Sequence, residues 1–200
     1  NMHKENIYKK LTNIKNPISI EKFIEISLYD KHGYYLNSNV IGSIGDFITS
    51  PEISQLFGEI LGLYILDYWQ KNINQKFNLI ELGPGNGTLL LDMINITKKF
   101  ENFNKFRNIE LIEKNVNLIE KQKKKFYDFN LNIDKISWSQ NLKKEYKEPI
   151  FVVANEFFDC FPIKQFYKKN NSWYEKMVLY HSNNKTLGFT DMKVDDLKTL

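Results

Sequence analysis

Asn78-Leu79-Ile80-Glu81-Leu82-Gly83-Pro84-Gly85-Asn86-Gly87-Thr88 is the stretch on which the fold turns. The apolar run over residues 77–82 predicts a short buried strand, and residues 89–98 have the spacing of a helix. Between them stand three alternate glycines, which take positive φ without penalty and let a ligand approach the main chain closely. The helix that follows offers unpaired N–H groups at its N-terminus. A turn of this kind closing the first parallel strand matches the ligand crevice of open α/β sheets.

The flanking sequence keeps the same rhythm. Strands are predicted over residues 109–113, 133–138 and 150–154, with a helix over 116–127. The segment Ile150-Phe151-Val152-Val153-Ala154 is apolar at every position, as expected of a strand covered on both faces. Alternation of strand and helix implies a parallel sheet with right-handed crossovers. Upstream, Ser19 is expected to cap a helix over residues 18–29, and Pro51 to open a helix reaching Trp69 with a wide apolar stripe. Downstream, residues 163–167 and 173–180 read as a hairpin around Lys168-Lys169-Asn170-Asn171-Ser172. The expected organisation is a helical annex with a polar loop over residues 1–75, then an α/β core over 76–200 with the hairpin inserted after 162. Four strands are few for a doubly wound sheet, and Asn1 rather than Met opens the chain. The expectation is of a chain truncated at its C-terminus, with further strands beyond Leu200.

Composition excludes several function classes. Arg107 is the single arginine among 28 basic residues, and the lysines are scattered among 24 acids, so no base-reading basic stripe is expected despite the net charge of +4. No run approaches the roughly 20 apolar residues of a membrane span. Cys160 is the only cysteine and His3, His32 and His181 lie far apart, which argues against a disulfide and a metal centre and for a reducing, cytoplasmic setting.

The glycine pattern is E-x-G-x-G-x-G, not the dinucleotide fingerprint G-x-G-x-x-G, which argues against a nucleotide-linked oxidoreductase. S-adenosylmethionine has no pyrophosphate but carries an amino acid end, so an acid beside the turn, Glu81, is suited to its ammonium group. Gly83, Gly85 and Gly87 would form the cradle. Glu113, closing the second strand, is placed to accept hydrogen bonds from ribose hydroxyls, although it lies about 30 residues past the glycines rather than roughly 20. Trp138 either borders the adenine or packs in the core. Asn155-Glu156-Phe157-Phe158-Asp159 follows the fourth strand directly. Asn155, Glu156 and Asp159 are the candidates for holding a nucleophilic nitrogen and accepting its proton; for Asp159 helix capping is the alternative, and for Phe157 and Phe158 packing.

These segments together resemble the MidA-type proteins, whose mitochondrial members are arginine methyltransferases that assist complex I assembly. The matching strings are His32-Gly33-Tyr34-Tyr35, Gly45-Asp46-Phe47-Ile48-Thr49-Ser50-Pro51-Glu52-Ile53-Ser54-Gln55-Leu56-Phe57-Gly58-Glu59, the glycine turn, and Asn155 to Asp159 with Pro162. The resemblance implies a Rossmann-like methyltransferase fold, S-adenosyl-L-methionine as cofactor and a protein arginine as acceptor, on a complex I subunit or another protein. It also implies that Asp46, Thr49, Ser50 and Glu52 border the cofactor. It would put the protein in the bacterial cytoplasm or, in a eukaryote, the mitochondrial matrix. Cys160 departs from the small residue common in the family. The alternative is an assembly factor that keeps the fold without turnover.

Overall fold

The computed structural model describes residues 2–30 and 54–194. The chain divides into two compact units, residues 41–158 and residues 1–40 with 159–200. The sequence reading drew its boundary after residue 75. The difference has a plain cause: the helix before that point packs on the α/β core, whereas the N-terminal segment pairs with the hairpin.

In the α/β unit, β2 (Phe77–Leu82), β3 (Arg107–Ile112), β4 (Ile136–Ser139) and β5 (Ile150–Val153) form a parallel sheet in the order β4-β3-β2-β5. The register runs Leu79 opposite Ile109 and Phe151, and Ile109 opposite Ile136. Period-two alternation sends Phe77 and Leu79 to one face, where they join Leu111, Ile136 and Val153 in the main core. Helices α3 (Gln55–Asn72), α4 (Thr88–Thr97), α5 (Glu101–Phe106) and α6 (Val116–Asp128) belong to this unit. α4 is buried almost all round, with Leu89, Leu90, Leu91 and Met93 at most 3% exposed. Trp69 of α3, Phe77 and Phe103 form an aromatic knot with centroids 5.1–5.9 Å apart.

Two expectations are corrected here. The stripe predicted for α3 does not all face the core: Leu56, Ile60 and Tyr64 are exposed, and the buried side runs through Gly58, Gly62, Ile65, Leu66 and Trp69. A Cβ on Gly58 would stand 2.6 Å from Asp92 Cβ, and one on Gly62 2.9 Å from Met93 Cα, so the glycines let α3 lie close on α4. β5 is covered on one face only. Phe151 and Val153 pack into the core, while Ile150 and Val152 are each 46% exposed.

In the other unit, α1 (Met2–Thr12) precedes β1 (Ile18–Ser19) and α2 (Ile20–Ile24), which continues as a π-helical turn, Glu25–Tyr29. Ser19 caps α2 as expected, its Oγ accepting from Lys22 N–H at 3.1 Å. The hairpin is present as β6 (Phe166–Lys169) and β7 (Ser172–His181), turned by Asn170 and Asn171 with φ 48° and 60°. Two consecutive left-handed residues make the tight connection whose twist suits a hairpin. A third strand, β8 (Thr186–Val194), lies along one edge of β7, and β6 and β1 share the other.

Candidate functional site

β2 extends its ladder one step past Leu82, where Gly83 N–H donates to Ile112 C=O at 3.0 Å. The chain then leaves the sheet through Gly83, Gly85 and Gly87, with φ of 61°, 53° and 73°. Gly87 N–H closes the turn on Pro84 C=O at 2.7 Å, and Gly87 is also the residue that caps α4, without a side chain to satisfy the first amides. The glycines serve packing as well. A Cβ at Gly83 would lie 2.5 Å from Phe157 Cδ2, and one at Gly87 2.8 Å from Phe126 Cζ. Substitution there would meet both a left-handed backbone and a ring.

Glu81 is the residue whose state is least ordinary. It is 3% exposed, and its Oε2 has no hydrogen-bond partner among the described residues. Burial pushes its carboxyl up to about 8, because the charged form has lost its water and has no cation beside it among the described residues. A buried polar group is normally satisfied. Here one carboxylate oxygen is held in reserve beside a turn built for close approach.

Glu113 stands one residue beyond β3, its N–H donating to Ser139 C=O at 2.9 Å. Its Oε1 accepts from Lys114 N–H and Asn115 N–H, both at 2.9 Å. Burial raises its carboxyl above the usual carboxylate range, and these amides and the Gln122 side chain restrain the rise. Asn155 and Glu156 follow β5, the other neighbour of β2. Glu156 takes φ 49°, a conformation rare for a residue with a side chain and often stored at functional sites. Phe157, reading as packing in the sequence, does pack: it lies against the small cluster of Ile80, Leu82 and Ile112. By covering Gly83 it also seats the Asn155–Glu156 segment against the glycine turn.

Trp138 packs against the main core, its ring 6.2 Å from that of Phe126. Asp159 lies in a single 3-10 turn, Phe158–Cys160, in the unit that carries the antiparallel sheet. Asp46, Thr49, Ser50 and Glu52 fall outside the described residues. Sequence reasoning missed Gln122, which is fully buried. Its Nε2 donates to Gly85 C=O at 2.7 Å and its Oε1 accepts from Trp138 Nε1–H at 2.9 Å. The signal was present: Gln122 stands between Ile119 and Phe126 on the apolar side of α6, where a polar residue needs dedicated partners.

A cavity of about 470 Å³ lies away from the glycine turn, lined among others by Asn78, Arg107, Glu110, Ser137 and Lys143. Its carboxylate is already engaged: Ser139 Oγ and Tyr146 Oη donate to Glu110 at 2.8 and 3.0 Å, and Lys143 Nζ stands 3.3 Å away. No cluster of His, Cys, Asp and Glu suited to a metal ion occurs among the described residues, and no described helix is long and apolar enough to cross a membrane.

The sequence signature of the family described as "Putative S-adenosyl-L-methionine-dependent methyltransferase" matches residues 60–199. The chain belongs to this methyltransferase family. Within it, the chain is similar to the mitochondrial protein arginine methyltransferase NDUFAF7 of Bos taurus, with 34% identity over 81% of this chain and 42% of the relative. The Drosophila melanogaster homologue is 31% identical over 81% of this chain and 41% of the relative. The chain thus spans less than half the length of these curated relatives. A crystal structure from Burkholderia thailandensis, bound to S-adenosyl-homocysteine, superposes with a TM-score of 0.79 at 20% identity, covering 99% of this chain and 52% of that one. At that identity the likeness is one of fold, and it agrees with the α/β architecture and parallel sheet read from the sequence.

Proposed function

We propose that this chain carries the cofactor-binding part of an S-adenosyl-L-methionine-dependent methyltransferase that modifies arginine on a protein. The observation that carries the reading is Glu81: a buried carboxylate oxygen without a partner among the described residues, next to three left-handed glycines at the carboxyl edge of a parallel sheet. An α-ammonium is the ligand group that would satisfy it, and the N-terminal end of α4 beside the turn has the polarity that suits the α-carboxylate of the same amino acid end. Glu113 would take the ribose hydroxyls, and Trp138 would border the base. Asp46, Thr49, Ser50 and Glu52 would border the cofactor. The residues present therefore fit the cofactor, which when bound supplies an electrophilic methyl group.

The chain's own residues would do the rest. Asn155 and Glu156, seated against the turn through Phe157, would orient the acceptor nitrogen, and Glu156 would take its proton. Arginine of a protein as acceptor and, in a eukaryote, a mitochondrial site are supported by the names of the NDUFAF7 relatives; a partner linked to complex I is what the resemblance to the MidA-type proteins implies. In a bacterium the corresponding setting is the cytoplasm.

Calorimetric titration of the intact protein with S-adenosylhomocysteine tests the site. Saturable binding that Gly85→Val abolishes is expected, and binding unchanged by that substitution contradicts it. Transfer of labelled methyl to protein arginine, expected of the intact enzyme, separates catalysis from an assembly role without turnover.

A further inference from the structure

Arg107 is the single arginine of the chain, and it is buried, 8% exposed, at the start of β3. Its Nη1 donates to Thr97 Oγ1 at 3.1 Å, and its guanidinium carbon stands 5.2 Å from the centroid of the Phe103 ring. A hydroxyl and a ring face are neutral, and among the described residues no carboxylate pairs with it. Burial lowers its guanidinium to about 10, so it remains charged at neutral pH. A buried charge is normally paired; the counter-charge of this one is missing.

Arg107 lines the cavity of about 470 Å³ at the amino edge of the parallel sheet, where β3 and β4 begin. Asn78 lines it too, from the start of β2, and its Nδ2 is buried without a partner among the described residues. The other charged residues of the lining are Lys105, Lys135 and Lys143, with Glu110 and Asp134. Glu110 already receives Ser139, Tyr146 and Lys143. Cations thus outnumber acids, four to two.

We propose that this cavity is a second ligand site, separate from the cofactor's, that takes a phosphate dianion, free or carried by a small molecule, with Arg107 and Asn78 as its recognition residues. An excess of two cations suits a doubly charged phosphate better than a single carboxylate. The planar fork of arginine matches phosphate oxygens, which a lysine does not. Lysines alone would mark no site, because they are scattered over the whole chain. The volume falls within the roughly 300–1,000 Å³ of small-molecule pockets, which leaves room for more than the phosphate itself. The glycine turn lies at the other end of β2, so the two ligands would not compete.

Phosphorus NMR titration of the intact protein tests the site, with inorganic phosphate and with glycerol phosphate at constant ionic strength and about pH 8, where both are doubly charged. Saturable binding at about 1 mM or tighter is expected, weakened about tenfold or more in Arg107→Gln and about threefold or more in Asn78→Leu. Either compound binding in this way supports the site, and the tighter of the two names the source of the phosphate. Acetate that competes as well as phosphate would reveal a response to charge alone and overturn the assignment. Absence of saturation, or unchanged phosphate affinity in Arg107→Gln, overturns it too. Should Arg107→Gln not fold, Asn78→Leu decides, and unchanged affinity there is contrary to the proposal. Neither substitution should alter affinity for S-adenosylhomocysteine by more than about twofold; parallel loss of both ligands overturns the claim of a separate site.

Discussion

Two buried glutamates, Glu81 and Glu110, sit on adjacent strands of one sheet in opposite electrostatic states. Glu110 is 4% exposed and receives Ser139, Tyr146 and Lys143, and these donors hold its carboxyl below the usual range against the pull of burial. Glu81 is 3% exposed, and burial alone acts on it, driving its carboxyl up to about 8. The register puts Glu81 opposite Leu111 and Glu110 opposite Ile80, so alternation sends the two side chains to different faces. Both are closed to solvent, Glu81 the deeper of the two, and among the described residues only Glu110 has donors. A carboxylate whose acceptors are filled by its own fold is a structural part, while one kept short of a partner is available to a ligand.

The largest effect expected from this contrast is on binding. Glu81→Gln should weaken S-adenosylhomocysteine by about 100-fold or more, because the ammonium would be buried without its counter-charge. Glu110→Gln should leave affinity within about twofold in the same titration. Equal losses in the two variants would erase the distinction.

Stability should divide the pair next, with opposite dependence on pH. Glu81 keeps its proton in the native chain up to about pH 8, while the unfolded chain releases it near 4.5. Its contribution is therefore complete below pH 4.5 and is lost as pH rises towards 8, amounting to about 3 kcal/mol by neutral pH. Glu110, with its native value lowered, contributes above the ordinary carboxylate range and loses that contribution as pH falls through its native value. Thermal melts of the unliganded protein should accordingly find Glu81→Gln more stable than the wild type at pH 8 and similar at pH 4. Glu110→Gln should be less stable by about 1–3 kcal/mol at pH 7. A Glu81→Gln protein that melts below the wild type at pH 8 would show that the carboxylate has a partner after all.

A smaller effect concerns the turn that keeps Glu81 company. Gly83→Ala should cost about 1–3 kcal/mol of stability, from a strained left-handed residue and a methyl pressed on Phe157. Phe157→Leu in the same chain should restore part of it, and a double-mutant cycle in denaturant melts measures the recovery. Additive losses would mean that the ring does not brace the turn.

The fold around the site was legible because it rests on local patterns. Phe77–Leu82, the three glycines and the helix after them are contiguous, and each signal strengthens the next. β8 escaped notice because Gly188 interrupts it and because Phe189 and Met192 remain exposed, which blurs the alternation of a half-buried strand. The covered face expected for β5 was an over-reading: a continuous apolar run shows what a strand could bury, not what lies over Ile150 and Val152. The domain boundary failed for a related reason. Helix periodicity reveals an apolar stripe, but Gly58 and Gly62 decided which side of α3 meets α4. Within the site, the placement of Glu81 followed from the motif, whereas its missing partner depends on residues far away in sequence. Gln122 is the same lesson from the other side, since its partners Gly85 and Trp138 come from separate elements.

Proton linkage tests the reserve at Glu81 most directly. Titration of the intact wild type with S-adenosylhomocysteine near pH 7, in buffers of different ionisation enthalpy, should report release of nearly one proton per site as the ammonium converts a neutral acid to a carboxylate. The release should disappear in Glu81→Gln. Binding at pH 7 with no proton released, or with the same release in Glu81→Gln, would contradict the account.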